Sequence, residues 1–236
     1  MRSTPHRTHE APGSRTRRLV LFDIDGTLTQ SNEMDTDSFV RAMSEHLGKP
    51  VESDWSRYRN VTDSGIAAEL LQRYGRPPGD CDRVKSRFVE LISQVLQSSP
   101  SCCRQVPGAG AFLDRLRHAA GVQIGLATGG WAAAARAKLS HAGIDIAGFA
   151  FASADDAPSR IEIMKICVDR MGGAGAADGI VYFGDGLWDL RATRELGWRF
   201  VGIADGIQAD KLRKAGATAI FDDFRSPIVY AKVAGA

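Results

Sequence analysis

The chain has 236 residues, 30 Lys and Arg against 28 Asp and Glu, a formal net charge of +2, and 44% hydrophobic side chains. That composition supports a substantial core. It gives neither the broad basic face of a nucleic-acid binder nor an apolar stretch long enough to span a membrane. The positive excess is local: Arg2, Arg7, Arg15, Arg17 and Arg18 against Glu10 give residues 1–18 a charge of +4, and the remaining 25 basic and 27 acidic side chains give −2.

In chain order, residues 1–17 are rich in Arg, Ser, Thr, Pro and His and read as a disordered, basic leader. They contain no apolar run of the secretory kind, so cytoplasmic residence is expected. A β-prone run follows, Leu19-Val20-Leu21-Phe22-Asp23-Ile24-Asp25-Gly26-Thr27, predicting a strand over 19–25. Two carboxylates two residues apart project from one side of such a strand. At its end they need hydration, a cation or a substrate. A turn over Asp25-Gly26 explains the second of them but not the first.

Residues 30–105 have no strand signal. Phe39, Val40, Met43 and Leu47 recur at helical spacing before Gly48 and Pro50. Ile66, Leu70, Leu71 and Tyr74 make a second stripe, and Val84, Phe88, Leu91, Ile92 and Val95 a third. This predicts an all-helical cap inserted after the first strand, too long for a loop and placed to act as a lid. Within it, Arg57 and Arg59 lie between the first two helices and read as a solvated turn.

From 106 onward, strand patterns at 122–128, 149–152, 180–184, 199–204 and 218–221 alternate with helical patterns near 109–120, 132–142, 159–171, 187–196 and 208–215. The fold class is therefore α/β: a Rossmann-like parallel sheet with helices on both faces, its ligand site beyond the carboxyl ends of the strands. The core is expected to comprise 18–29 and 106–236, and the cap 30–105. Cys81, Cys102, Cys103 and Cys167 have no metal-ligand spacing and read as reduced structural thiols.

Two further clusters fall at predicted strand ends. Thr128-Gly129-Gly130 offers a hydroxyl and backbone N–H groups at a helix start, suited to phosphate or, more simply, to capping. Asp185 and Asp189 flank Gly-Leu-Trp where a strand passes into a helix, and hard oxygen ligands suit magnesium. Asp189 also suits the first turn of a helix as a dipole-favoured acid. Between them, Arg160 opens a helix and could clamp a phosphoryl group bidentately. Lys165 lies about 140° around the same helix, so the two cannot readily share one site. Trp131 and Trp188 adjoin two of these clusters and read as packing residues.

Phe22 to Thr29, Ile124 to Gly130 and Tyr182 to Asp189 together resemble the first, second and fourth motifs of the haloacid dehalogenase-like (HAD) hydrolase superfamily. The helical insert resembles that of its phosphoglycolate phosphatase-like and β-phosphoglucomutase-like branch. The likeness extends over residues 18–224 and departs at the third motif, where Arg160 stands in place of the usual lysine. It implies a magnesium-dependent phosphatase acting on a small phosphomonoester through an aspartyl-phosphate, with Asp23 as nucleophile and Asp25 as general acid and base. It also implies Mg2+ held by Asp23, the main-chain carbonyl of Asp25 and Asp185, with Asp189 orienting a metal water, and phosphate held by Thr128, Gly129 and Arg160. A phosphomutase uses the same motifs, and a non-catalytic phosphate-binding module is the reading from a different class. A small phosphorylated substrate is the expected partner, without nucleic acid or membrane, the chain being a monomer or homodimer.

Overall fold

A computed structural model describes residues 17–175 and 177–234. All of the expected leader except Arg17 lies outside them. Arg17 itself opens the first strand, and its Nη2 donates to the carbonyls of Met171 and Gly173 at 2.5 and 2.9 Å.

Six parallel strands form the main sheet: β1 (Arg17–Phe22), β4 (Val122–Ala127), β5 (Ala150–Ala152), β6 (Ala177–Gly184), β7 (Arg199–Ile203) and β8 (Ile220–Phe221). Their spatial order is β5-β4-β1-β6-β7-β8. The chain runs outward from β1 through β4 to β5, then returns to the other side of β1 with β6. That reversal opens a crevice at the carboxyl ends of β1, β4 and β6.

The pleat divides β1 between two cores. Val20 and Phe22 face a cluster with Phe112, Leu116, Val181 and Phe183, whereas Leu19 and Leu21 face Ile163, Met164, Cys167 and Tyr182. All four strand residues are fully buried, as expected of a parallel strand covered on both faces. Phe22 stacks on Phe183 with ring centroids 4.8 Å apart. The covering helices are α4 (Ala109–Arg117), α5 (Ala132–His141), α6 (Arg160–Arg170), α7 (Leu187–Leu196), α8 (Gly206–Lys214) and α9 (Pro227–Ala234).

Between β1 and α4 the chain makes an antiparallel pair, β2 (Thr29–Gln30) with β3 (Arg104–Gln105). From this stem extend three helices, α1 (Asn32–Leu47), α2 (Asp63–Arg73) and α3 (Asp80–Ser98). Their apolar faces, with Phe39, Leu70, Phe88 and Leu91, form one cluster that continues into the core through Trp131 and Ala134 of the α5 region. Trp131 is thus the packing residue its sequence position suggests, buried between Phe39 and Phe88 at 5.8 and 5.5 Å. Among the described residues no helix is long and apolar enough to cross a membrane.

Candidate active site

The strand expected over 19–25 ends at Phe22, so Asp23 and Asp25 sit in the loop beyond it. Asp23 N–H still donates to Phe183 O at 2.9 Å, in the manner of the ladder. The loop then winds around the Ile24 carbonyl, which accepts N–H bonds from Thr27, Leu28 and Thr29. Gly26 makes the turn possible with φ of +77°, a region open to glycine at little steric cost. A Cβ there would also overlap Asp185 Oδ2. The two acids therefore do not share a strand face, and their carboxylates go to different partners.

Asp23 turns toward Asp185 and Asp189, and oxygens of the three carboxylates lie within 4.8 Å of one another. Asp185 follows the last residue of β6, and its Oδ2 accepts from Asn32 Nδ2 of α1 at 2.9 Å. Asp189 lies in the first turn of α7. Its Oδ2 accepts the Gly186 N–H at 3.1 Å while Oδ1 stands 2.9 Å from Arg160 Nη1, so the helix-start acid is also one of the carboxylates gathered with Asp23. Arg160, the first residue of α6, also approaches Asp23 Oδ1 at 3.3 Å. Lys165, on the same helix, is exposed.

Burial dominates the electrostatics. It pushes Asp23 up to about 7 against the pull of Arg160, raises Asp185 well above the usual carboxylate range, and raises Asp189. Burial works against the charge of Arg160 too, yet Asp189 and Asp23 hold its guanidinium above the ordinary value. Three buried acids with one arginine leave negative charge unmet. An all-carboxylate set of this kind suits a hard divalent ion such as Mg2+. Asp23, Asp185 and Asp189 fit it by their side chains.

Asp25 offers no free carboxylate for that purpose. Lys138 Nζ donates to both of its oxygens, at 2.6 and 2.7 Å, and Ser31 Oγ donates to Oδ1 at 2.5 Å. As a ligand Asp25 is limited to its main-chain carbonyl, the atom the family resemblance assigns to it. Lys138, fully buried on α5, also pairs with Asp35 of α1. Burial opposes its charge, but Asp25 and Asp35 hold its ammonium above the ordinary lysine value. Sequence reasoning missed this residue. The available signal was its place in the stripe Ala134, Ala135, Lys138, Leu139, whose other members are buried.

Thr128 follows β4 and is buried, its Oγ1 accepting the Gly130 N–H at 3.1 Å. It does not cap α5. The Trp131 and Ala132 N–H groups donate instead to Asp63 Oδ2 at 2.8 Å and Asp155 Oδ2 at 2.7 Å. Gly129 is packed so closely that a Cβ would collide with Arg160 Nη2, and its carbonyl accepts the Asp63 N–H at 2.8 Å. Thr62 Oγ1 donates to Pro158 O at 2.6 Å and Arg160 Nη2 to Val61 O at 3.4 Å. The segment Val61-Thr62-Asp63 thus fastens the helical insert onto the loops after β4 and before α6.

Beneath the insert lies a cavity of about 340 Å³ whose walls include Asp23, Asp25, Thr128, Gly129, Arg160 and Asp185. Trp188 lines it too, and a Cβ on Gly186 would overlap the Trp188 ring. Arg57 points to Glu52 at the surface.

A family model for haloacid dehalogenase-like hydrolases matches residues 17–197. The chain belongs to that family. It is a hydrolase, related to phosphatases: it is 26% identical over 223 residues to the phosphoglycolate phosphatase of Rhodospirillum rubrum, covering 89% of this chain and 88% of that one. The fold is shared with a hydrolase from Pseudomonas syringae (TM-score 0.68, 20% identity, 89% of this chain and 94% of that one). It is shared as well with CbbY from Rhodobacter sphaeroides, solved in complex with phosphate (TM-score 0.64, 20% identity, 87% and 93%).

Proposed function

We propose that this hydrolase cleaves a small phosphomonoester through an aspartyl-phosphate on Asp23. The observation that carries the reading is the convergence of Asp23, Asp185, Asp189 and Arg160 at the floor of a cavity that also exposes Thr128 and Gly129. An aspartate between a cation site and a guanidinium has the surroundings of a nucleophile for phosphorus.

A divalent ion held by Asp23, Asp185 and Asp189, with the Asp25 carbonyl, would neutralise charge on the phosphoryl group. Arg160, the Gly129 N–H and the Thr128 hydroxyl, whose proton is free because its oxygen accepts from Gly130, would bind phosphoryl oxygens. The Asp23 carboxylate attacks phosphorus as the bond to the leaving oxygen breaks. Asp25 gives that oxygen a proton, then takes one from the water that hydrolyses the acyl phosphate and frees Asp23. Lys138 and Ser31 fix the Asp25 carboxylate. Asp35, which burial pushes up to about 6 against the pull of Lys138, shares that ammonium with Asp25. Closure by Val61-Thr62-Asp63 keeps bulk water out. Four unpaired cysteines suit a reducing, cytoplasmic setting.

The test is hydrolysis of p-nitrophenyl phosphate with and without magnesium. Activity that needs the metal and falls by about 10⁴-fold or more in Asp23→Asn is the expected result. An inactive wild type, or an active Asp23→Asn, would refute the reading.

A further inference from the structure

The roof of the cavity bears on which phosphomonoester enters, an inference that rests on the phosphatase reading above. The floor holds the phosphoryl group. The wall contributed by the insert, from α1 to the start of α2, presents Asp35, Thr36, Phe39, Trp55, Asp63 and Ile66. Five carboxylates line the cavity as a whole, and among the described residues Arg160 is the one cation that does. Arg160 is engaged at the floor by Asp23 and Asp189. Lys138 stands behind the wall, taken by Asp25 and Asp35.

Among the described residues no basic residue of the insert lines the cavity, and four of them are paired elsewhere: Arg57 with Glu52, Arg73 with Glu69, Arg87 with Glu45 and Lys85 with Asp155. A second anion on the leaving alcohol would therefore face Asp35 and Asp63 with no unengaged cation on the cavity wall to meet it. Like-charge juxtaposition of that kind rejects a ligand strongly.

We propose that the substrates are monophosphates of small alcohols that carry no second anionic group, the far end being a hydroxyl or an ammonium. Asp63 and Thr36 offer acceptors to either. Phe39 and Trp55 cover the carbon edges and, for an ammonium, add aromatic faces beside carboxylates. The volume of about 340 Å³ lies at the small end of the range for ligand pockets, roughly 300–1,000 Å³. Phosphoglycolate, named for the Rhodospirillum relative, has a carboxylate where this roof has two of its own.

The test uses three esters of similar length that differ in charge at the far end: phosphoethanolamine, 2-hydroxyethyl phosphate and phosphoglycolate. For the wild type with magnesium, kcat/KM for at least one of the first two is expected to exceed that for phosphoglycolate by about tenfold or more. Asp63→Asn keeps an acceptor for the Trp131 N–H while removing the acid, and should shrink that ratio about threefold or more. Equal or better use of phosphoglycolate overturns the proposal, as does hydrolysis of p-nitrophenyl phosphate alone, or a ratio indifferent to Asp63→Asn. Cleavage of the aryl ester alongside any of these leaves the phosphatase reading standing. Failure to hydrolyse any ester removes both.

Discussion

The floor and the roof of the cavity are both acidic, yet they handle their charge differently. On the floor, Asp23, Asp185 and Asp189 converge within 4.8 Å around a single arginine, so the chain alone does not neutralise them. On the roof, Asp35 is met by Lys138, which it shares with Asp25, and Asp63 by the Trp131 N–H. Burial raises all of these carboxyls, Asp63 well above its usual range. The arrangement separates them: clustered acids make a cation site, spaced acids bonded to donors make a latch and a charge filter.

The contrast is sharpest at the two cations. Arg160→Ala removes the one positive side chain on the floor and is expected to lower kcat about 10²- to 10³-fold, as loss of a transition-state donor does. Lys165→Ala, on the same helix but exposed, should leave steady-state kinetics unchanged. Equal losses would break the assignment.

Lys138→Met is expected next, with a loss of about 10²-fold in kcat and little change in KM. It should also destabilise by up to about 3 kcal/mol, because it strands two partly buried carboxylates. The double variant Lys138→Met/Asp35→Asn separates these effects. It should regain part of the stability, read by denaturant unfolding, while turnover stays low because Asp25 still lacks the ammonium and keeps Ser31 alone. Recovery of turnover along with stability would reduce Lys138 to a structural role.

A third prediction concerns metal and pH. A carboxyl whose folded pKa is raised contributes stability that is full below its unfolded pKa and is lost as pH rises through the folded value. With Asp23 at about 7, the metal-free protein should lose thermal stability between about pH 4 and 7. Magnesium at about a hundredfold over its Kd adds roughly 2.7 kcal/mol, or about 5–10 °C for a chain of this size. The shift should be larger at pH 8, where no proton competes for Asp23, than at pH 5.5. The reverse order in differential scanning fluorimetry would contradict a floor built for a cation.

The smallest expected effect is at the turn. Gly26→Ala forces a side chain into a left-handed conformation at a cost of about 1–3 kcal/mol. It also presses on Asp185, so weaker magnesium affinity should accompany the loss of stability.

These two walls were not equally legible in the sequence. The floor acids stand at strand ends, where apolar runs stop, and the alternation of strands and helices is enough to bring those ends to one edge of a parallel sheet. What failed there was local. The β-prone run reaches Asp25, but the strand stops at Phe22 because the Ile24 carbonyl draws in three N–H groups and turns the chain. The roof partners were invisible for a different reason. Asp35 and Asp63 lie on helices whose periodicity gives no sign of what they will face across the cavity, and Lys138 reads as a surface charge until its buried neighbours on α5 are counted. The paired segments β2 and β3 have two residues each, too few for any period to register.

The most direct measurement of the central claim is trapping of the phosphorylated enzyme. Acid quench during turnover, followed by peptide mass mapping, should place one phosphoryl group on the peptide containing Asp23, on its side chain and not on that of Asp25. An enzyme that turns over substrate while its label falls on Asp25, or on any residue other than Asp23, would contradict the account.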